Sequence, residues 1–445
     1  MATRSSGRTP KVKGGYPTGV TNARNDALTA TESNHNRDRQ KSQHNSPARN
    51  SHESLFSQGT IAFDLGLTND IDIDGTIYVP HSQATSSYVN TQVSVICMFD
   101  VDSQTGDDYV SDWEWLDPKH SPMAALQSLP LTTTFMLQYF SETVAVELVT
   151  IDDERNGWRS IVLPLAHKYD LIANSVQAAA AFHFSDNVSR HLGHPRDFYN
   201  RAIDGLRQNQ ELSAYDARKK HVILISLLVL LVVTMVNGSS DFRSIFRLLE
   251  TAWEAGGGDE ELGQGELGLF VIRQYLKFRG YAAPALSRSQ GVEVLSHTAF
   301  KRPLDSRGWD DFRSYIPLYP EHHEAMSLIC DLMEQACALY IERVALGCGA
   351  GPLTERVERL KTTMEAFPTG SPLEHVLVWV CFFGAVESST EGQHEYFIQK
   401  LMLHHQRNGF ANITNAIEYL QQRRSKEGTL LAWHEDFPTL PFFVV

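Results

Sequence analysis

From about Leu131 to the C-terminus, apolar residues recur with a period near 3.6, and residues that open or close helices fall between the apolar runs. Asp170 is placed to cap a helix carrying Ile172, Val176, Ala179, Ala180 and His183 on one face, and Pro195 to open another with Phe198, Ala202 and Leu206 aligned. Asn237-Gly238 stops the strongly apolar helix that follows. Ser240 or Asp241 then caps a stretch that buries Phe242, Ile245, Phe246, Leu249 and Trp253. After the acidic, glycine-rich run 256–265, read as flexible, helical spacing returns in Leu267, Phe270, Val271, Gln274, Tyr275 and Phe278. Further helices are expected around 321–346, 353–366, 373–386, 395–407 and 412–424. Few segments alternate with period two and no fixed repeat is present. The pattern therefore predicts an all-α, multi-helix domain over residues 131–445.

Val222–Val236 is the most apolar stretch. Its 15 residues span about 22 Å as a helix, short of the ~30 Å of a bilayer core. Lys219, Lys220 and His221 on one side and Asn237-Gly238-Ser239 on the other give it polar borders, so it reads as a helix buried on all sides. No membrane partner is expected.

Charge divides the chain ahead of this domain. The 445 residues carry a net charge of −14, yet residues 1–60 sum to +5 and residues 61–120 to −10. Residues 1–55 contain no Trp, Phe, Ile or Cys, too little apolar surface to offset the entropy of ordering, so residues 1–60 read as a disordered basic and polar tail. Such a tail is either simply solvated or contacts nucleic acid or an import receptor. In the segment 61–130, Phe63, Leu65, Ile71, Ile73, Phe99, Tyr109, Trp113 and Trp115 sit among acids. That composition suits an acidic activation segment and equally an acidic linker holding one short strand at Val93–Phe99.

The sequence offers little catalytic chemistry. There is no GxSxG elbow, no phosphate-cradling GxxxxGK[ST] loop and no GxGxxG turn after a strand, and the glycine-rich run 256–265 is acidic and would repel phosphate. His394-Glu395 is followed by Ile398 where a second zinc-binding histidine would stand, and the adjacent pairs His322-His323 and His404-His405 point apart on a helix. Cys330 and Cys337 share a helical face but lie two turns, ~10 Å, apart. Asp107-Asp108 with Asp112 is the most catalytic-looking cluster, because paired carboxylates can hold magnesium against a diphosphate. Its spacing departs from DDxxD, and no second magnesium motif follows. The calcium-loop reading of Asp100–Trp113 is out of register. Trp253, Tyr275 and Trp379 are expected in the core. No catalytic, cofactor-binding or metal residue is assigned, and DNA-binding residues stay unknown. Five scattered cysteines, Cys97, Cys330, Cys337, Cys348 and Cys381, fit free thiols in a reducing compartment.

The succession PLAHKYDLIANSVQAAAAFHFS (164–185), DFYNRAIDGLR (197–207), HVILISLLVLLVVTMVNGSSDFRSIFRLLETAWEAGG (221–257), LGLFVIRQYLKFRGYAAPAL (267–286) and HVLVWVCFFGAVESS (375–389) resembles the regulatory domain of fungal zinc-cluster transcription factors. The resemblance runs over about 131–445. It implies a non-enzymatic transcription regulator in the nucleus, with transcription machinery or co-regulator proteins as partners and a homo- or heterodimeric assembly. That family normally begins with a six-cysteine cluster that holds two zinc ions and sets a helix in the DNA major groove. Residues 1–96 contain no cysteine, so no cofactor is expected in this chain, and zinc only through an upstream cluster module. Direct sequence-specific DNA binding is accordingly left open. A helical interaction scaffold without a transcriptional role and a magnesium-dependent isoprenoid enzyme are the alternatives from other classes.

Overall fold

Leu131–Tyr139 forms the first helix, α1, and runs on without a break through a π turn, Phe140–Val144, into a 3-10 turn, Ala145–Leu148. The computed structural model describes residues 130–184, 193–209, 212–300, 313, 315–347, 351–368, 370–425 and 433–444. A loop leads from Leu148 to a second π turn, Trp158–Val162, and the short α2 (Leu163–Ala166). Then come α3 (Asp170–His183), α4 (Pro195–Arg207), α5 (Ala217–Asn237), α6 (Phe242–Ala255), α7 (Gly258–Leu262) and α8 (Gly265–Leu286). The second half holds α9 (Arg288–Phe300), α10 (His323–Leu346), α11 (Thr354–Glu365) and, after a 3-10 turn at Pro372–Leu377, α12 (Val378–Glu387). It closes with α13 (Glu391–Asn408), α14 (Ala411–Arg424), α15 (Trp433–Asp436) and a 3-10 turn at Phe437–Thr439. Among the described residues there is no strand, so the fold is all-α as the periodicity predicts. The readings of residues 1–60 and of 61–129 lie outside the described residues.

Local chemistry sets most of these boundaries. Asp216 accepts the Lys219 N–H at 2.8 Å and opens α5, and Thr390 accepts the Gln393 N–H at 3.2 Å and opens α13. Gly238 ends α5 in the left-handed region (φ +66°), a conformation that costs glycine nothing, and its carbonyl is held by Asn415 Nδ2 at 2.9 Å. Two expected caps differ. Asp170 is the first residue of α3 and makes no capping bond, and the Asp241 carboxylate accepts the Tyr199 hydroxyl at 2.9 Å instead of capping α6. The run 256–265 is not wholly flexible, since it winds the single turn of α7.

α5 is the centre of the body, packed by α3, α6, α8 and α14. Every residue from Lys220 to Val236 on it is buried. The helix is 21 residues long, about 31 Å, because it takes in the polar residues ahead of Val222. By length and composition it could cross a membrane, so the shortness of the apolar run does not decide the matter. Burial does: protein covers it on every side. Its charged border is knitted in as well. Lys220 Nζ donates to Glu261 Oε2 at 3.1 Å and to the Gly256 carbonyl at 3.3 Å, while His221 Nε2 lies 2.8 Å from the Leu262 carbonyl. These bonds fasten α7 across the start of α5.

In the second half, α12 lies against α13 so closely that only glycine fits at position 384. A Cβ there would stand 2.5 Å from the Phe397 ring. Gly384→Ala is therefore expected to lower stability by about 1–3 kcal/mol through overpacking, read as a drop in urea midpoint at unchanged slope. The C-terminal residues complete the core. Phe443 stacks on Phe242 of α6 with ring centroids 5.5 Å apart, its carbonyl accepts Asn412 Nδ2 at 2.8 Å, and Arg243 donates to the Leu440 carbonyl at 2.9 Å.

Candidate functional site

In an all-α body the polar side chains that fix how helices sit on one another are found at the junctions between them. One fully buried junction joins α10, α12 and α15. Arg343, near the end of α10, faces Glu387, the last residue of α12, and both side chains are fully buried. The pair is bidentate: Nε donates to Oε2 at 2.9 Å, and Nη2 donates to Oε1. Trp433 Nε1 of α15 donates to Oε2 at 2.6 Å, and the Leu353 N–H to Oε1 at 3.2 Å. Arg343 also reaches the Gly347 and Gly351 carbonyls at 3.3 and 3.1 Å. Each charge is thus surrounded by partners of the right polarity, the condition under which a buried pair is tolerated.

A second junction gathers α1, α3 and the turn between α13 and α14. Tyr139 Oη lies 2.9 Å from His183 Nδ1, and His183 Nε2 lies 2.6 Å from the Asn408 carbonyl. A carbonyl only accepts, so Nε2 donates to it. Phe410 packs edge-on against the His183 ring. The loop after Leu148 is pinned by Asn156, whose Nδ2 donates to the Ala145 carbonyl at 3.1 Å while Oδ1 accepts the Trp158 N–H at 3.0 Å.

One pair invites a catalytic reading. Cys381 Sγ and His404 Nε2 are 3.8 Å apart. A cysteine nucleophile needs a thiolate beside an imidazolium in an open cleft. Here burial pushes the thiol well above its usual range and the imidazole down to about 4, and Cys381 has no exposed surface. Both groups are held neutral and sealed, so they serve packing. A pH effect follows. The unfolded imidazole takes up a proton near pH 6.5, which the folded one resists until about 4. Stability present above 6.5 is therefore lost as pH falls toward and through 4, by about 3 kcal/mol for this residue. Burial lowers His221, His375 and His394 in the same direction. Unfolding free energies measured from pH 7.5 to 4.5 are expected to fall with acid, and less steeply in His404→Met.

The residues weighed in the sequence fall where packing puts them. His394 and Ile398 are buried on α13, Glu395 is exposed, and His394 Nδ1 lies 3.2 Å from the Ala385 carbonyl. His404 is buried while His405 is half-buried, so that pair diverges as expected. Cys330 and Cys337 are both buried on α10, and burial raises both thiols, Cys337 to about 12. Trp253, Tyr275 and Trp379 are core residues, with Trp253 stacked on Tyr275 at 4.6 Å between centroids. Asp107, Asp108 and Asp112 lie outside the described residues, as does the 100–113 run. Among the described residues no group of three or more His, Cys, Asp or Glu is placed to hold a metal ion. The Arg343–Glu387 pair escaped the sequence reading. Its only signal is a lone arginine among buried positions of one helix and a lone glutamate closing an apolar run, 44 residues apart, a distance no spacing rule covers.

Residues 135–266 match the family model described as fungal specific transcription factor domain. The match runs from within α1 to the start of α8, with α5 inside it, and over those residues bears out the resemblance read from the sequence. Proteins carrying that domain are transcription regulators. No curated protein and no solved structure matched the chain.

Proposed function

We propose, from the fungal specific transcription factor domain at residues 135–266, that this chain is a nuclear transcription regulator with no enzymatic step of its own. The helical body of residues 131–445 holds the surfaces that co-regulator proteins or transcription machinery recognise, and residues 61–130 supply an acidic recruiting segment. The family match carries the reading. The neutral, sealed state of Cys381 and His404, the pair closest to a nucleophile and base, is consistent with it.

Tethering the full chain to a heterologous DNA-binding module upstream of a reporter tests the proposal. Reporter output is expected to change, and deletion of residues 61–130 to remove that change while the helical body keeps its circular dichroism. An unchanged reporter, with the tethered chain shown to be present in the nucleus, would overturn it.

A further inference from the structure

Three helices of the second half bring three soft donors together. Cys381 of α12 has its Sγ 3.9 Å from Met364 Sδ of α11 and 3.8 Å from His404 Nε2 of α13. The three side chains are buried, at 0, 1 and 4% exposure in that order. The thiol has one proton and faces two acceptors, so one of them goes without it. The spacing is that of a three-coordinate metal site. Bonds of ~2.3 Å to sulfur and ~2.0 Å to nitrogen, opened ~120° apart, set two sulfurs ~4.0 Å apart and sulfur and nitrogen ~3.7 Å apart. Thiolate and thioether are the soft donors that select copper(I), and imidazole suits copper as well, whereas a structural zinc takes four donors drawn from Cys, His and carboxylate. Charge points the same way. Lys400 and Glu374, which act electrostatically on Cys381, are paired with each other at 2.5 Å, so neither offsets a surplus positive charge in the pocket. One thiolate on copper(I) carries no net charge. The burial that rules out a thiolate and imidazolium pair therefore admits this complex.

We propose that Met364, Cys381 and His404 form a copper(I) site that ties α11, α12 and α13 together. The S–H bond of Cys381 breaks, its proton leaves to solvent and the sulfur bonds the metal, while Met364 Sδ and His404 Nε2 each donate a lone pair. Neither copper nor sulfur changes oxidation state. Because the site is sealed, the metal enters only when the helices part locally, so loading is slow and the loaded ion is shielded from oxidants. The inference does not rest on the transcriptional reading.

The test uses the full chain, reduced and kept free of oxygen. It is loaded over hours with tetrakis(acetonitrile)copper(I), or with zinc, and then washed with a competing chelator, bathocuproine disulfonate for copper and EDTA for zinc. One copper per chain is expected to remain, with X-ray absorption showing two sulfurs and one nitrogen around it, and zinc is expected to wash away. Cys381→Ala is expected to lose this copper and Cys330→Ala to keep it. Met364→Leu conserves volume, so its circular dichroism should match that of the native chain. It is nevertheless expected to weaken copper retention at least about tenfold, since even the partner behind a metal ligand is worth roughly 10–100-fold in affinity. No copper retained by the native chain, equal retention in Cys381→Ala, zinc held as well as copper, or undiminished retention in Met364→Leu would overturn the proposal.

Discussion

Glu387→Ala is expected to destabilise the helical body by about 3–5 kcal/mol, the usual cost of leaving one member of a buried ion pair without its partner. The arginine left behind has no exposed side-chain surface and cannot turn to water. The same substitution strips Trp433 Nε1 and the Leu353 N–H of their acceptor, so with Arg343 Nε and Nη2 four donor atoms lose the Glu387 carboxylate together. Because Trp433 anchors the C-terminal residues to α12, its fluorescence should move toward the solvent-exposed range at denaturant concentrations where the native chain is still folded. Removing both charges separates the pair from its desolvation. Arg343→Met with Glu387→Leu is expected to recover much of the loss, because two apolar side chains leave no charge buried. If the double variant is as unstable as the single one, the burden lies in the shape of the site and not in its charge.

Leu228→Asp is expected to cost more still, above about 4 kcal/mol, and to leave little folded chain at ordinary temperatures. Leu228 has no exposed surface and sits midway along α5, where protein covers every side of the helix, so the carboxylate would find neither water nor a cation. Leu228→Ala keeps the site apolar and should cost about 2–5 kcal/mol, set by how far the neighbours collapse. Urea unfolding followed by far-ultraviolet circular dichroism orders the two. Were α5 a membrane span, both variants would instead change lipid partitioning and leave aqueous stability alone.

The sequence revealed α5 as a core helix and missed its true length, for a physical reason. Its polar opening, Lys220 and His221, looks like a solvated border until the end of α6 supplies the Gly256 carbonyl and α7 supplies Glu261 and the Leu262 carbonyl, some forty residues further on. Periodicity sees one face of one helix and cannot see such partners. The same blindness hid Arg343 and Glu387, each of which looks misplaced alone and is explained only by the other. It also hid the π turns at Phe140–Val144 and Trp158–Val162, where the apolar spacing stays helical while the hydrogen bonding shifts by one residue. What periodicity does register is the set of positions that face a core: Phe246 and Trp379, expected there, are buried, because burial acts on one side chain at a time. Among the residues weighed for chemistry, His394, His404, Cys330 and Cys337 are likewise buried.

The role proposed for this helical body is the regulation of transcription. Acute removal of the chain from living cells, followed by sequencing of nascent transcripts within minutes, tests it most directly. Synthesis at a discrete set of genes is expected to change at once, and to be restored by the native chain but not by Leu228→Asp. Nascent transcription that stays unchanged across the genome after the chain is gone would contradict it.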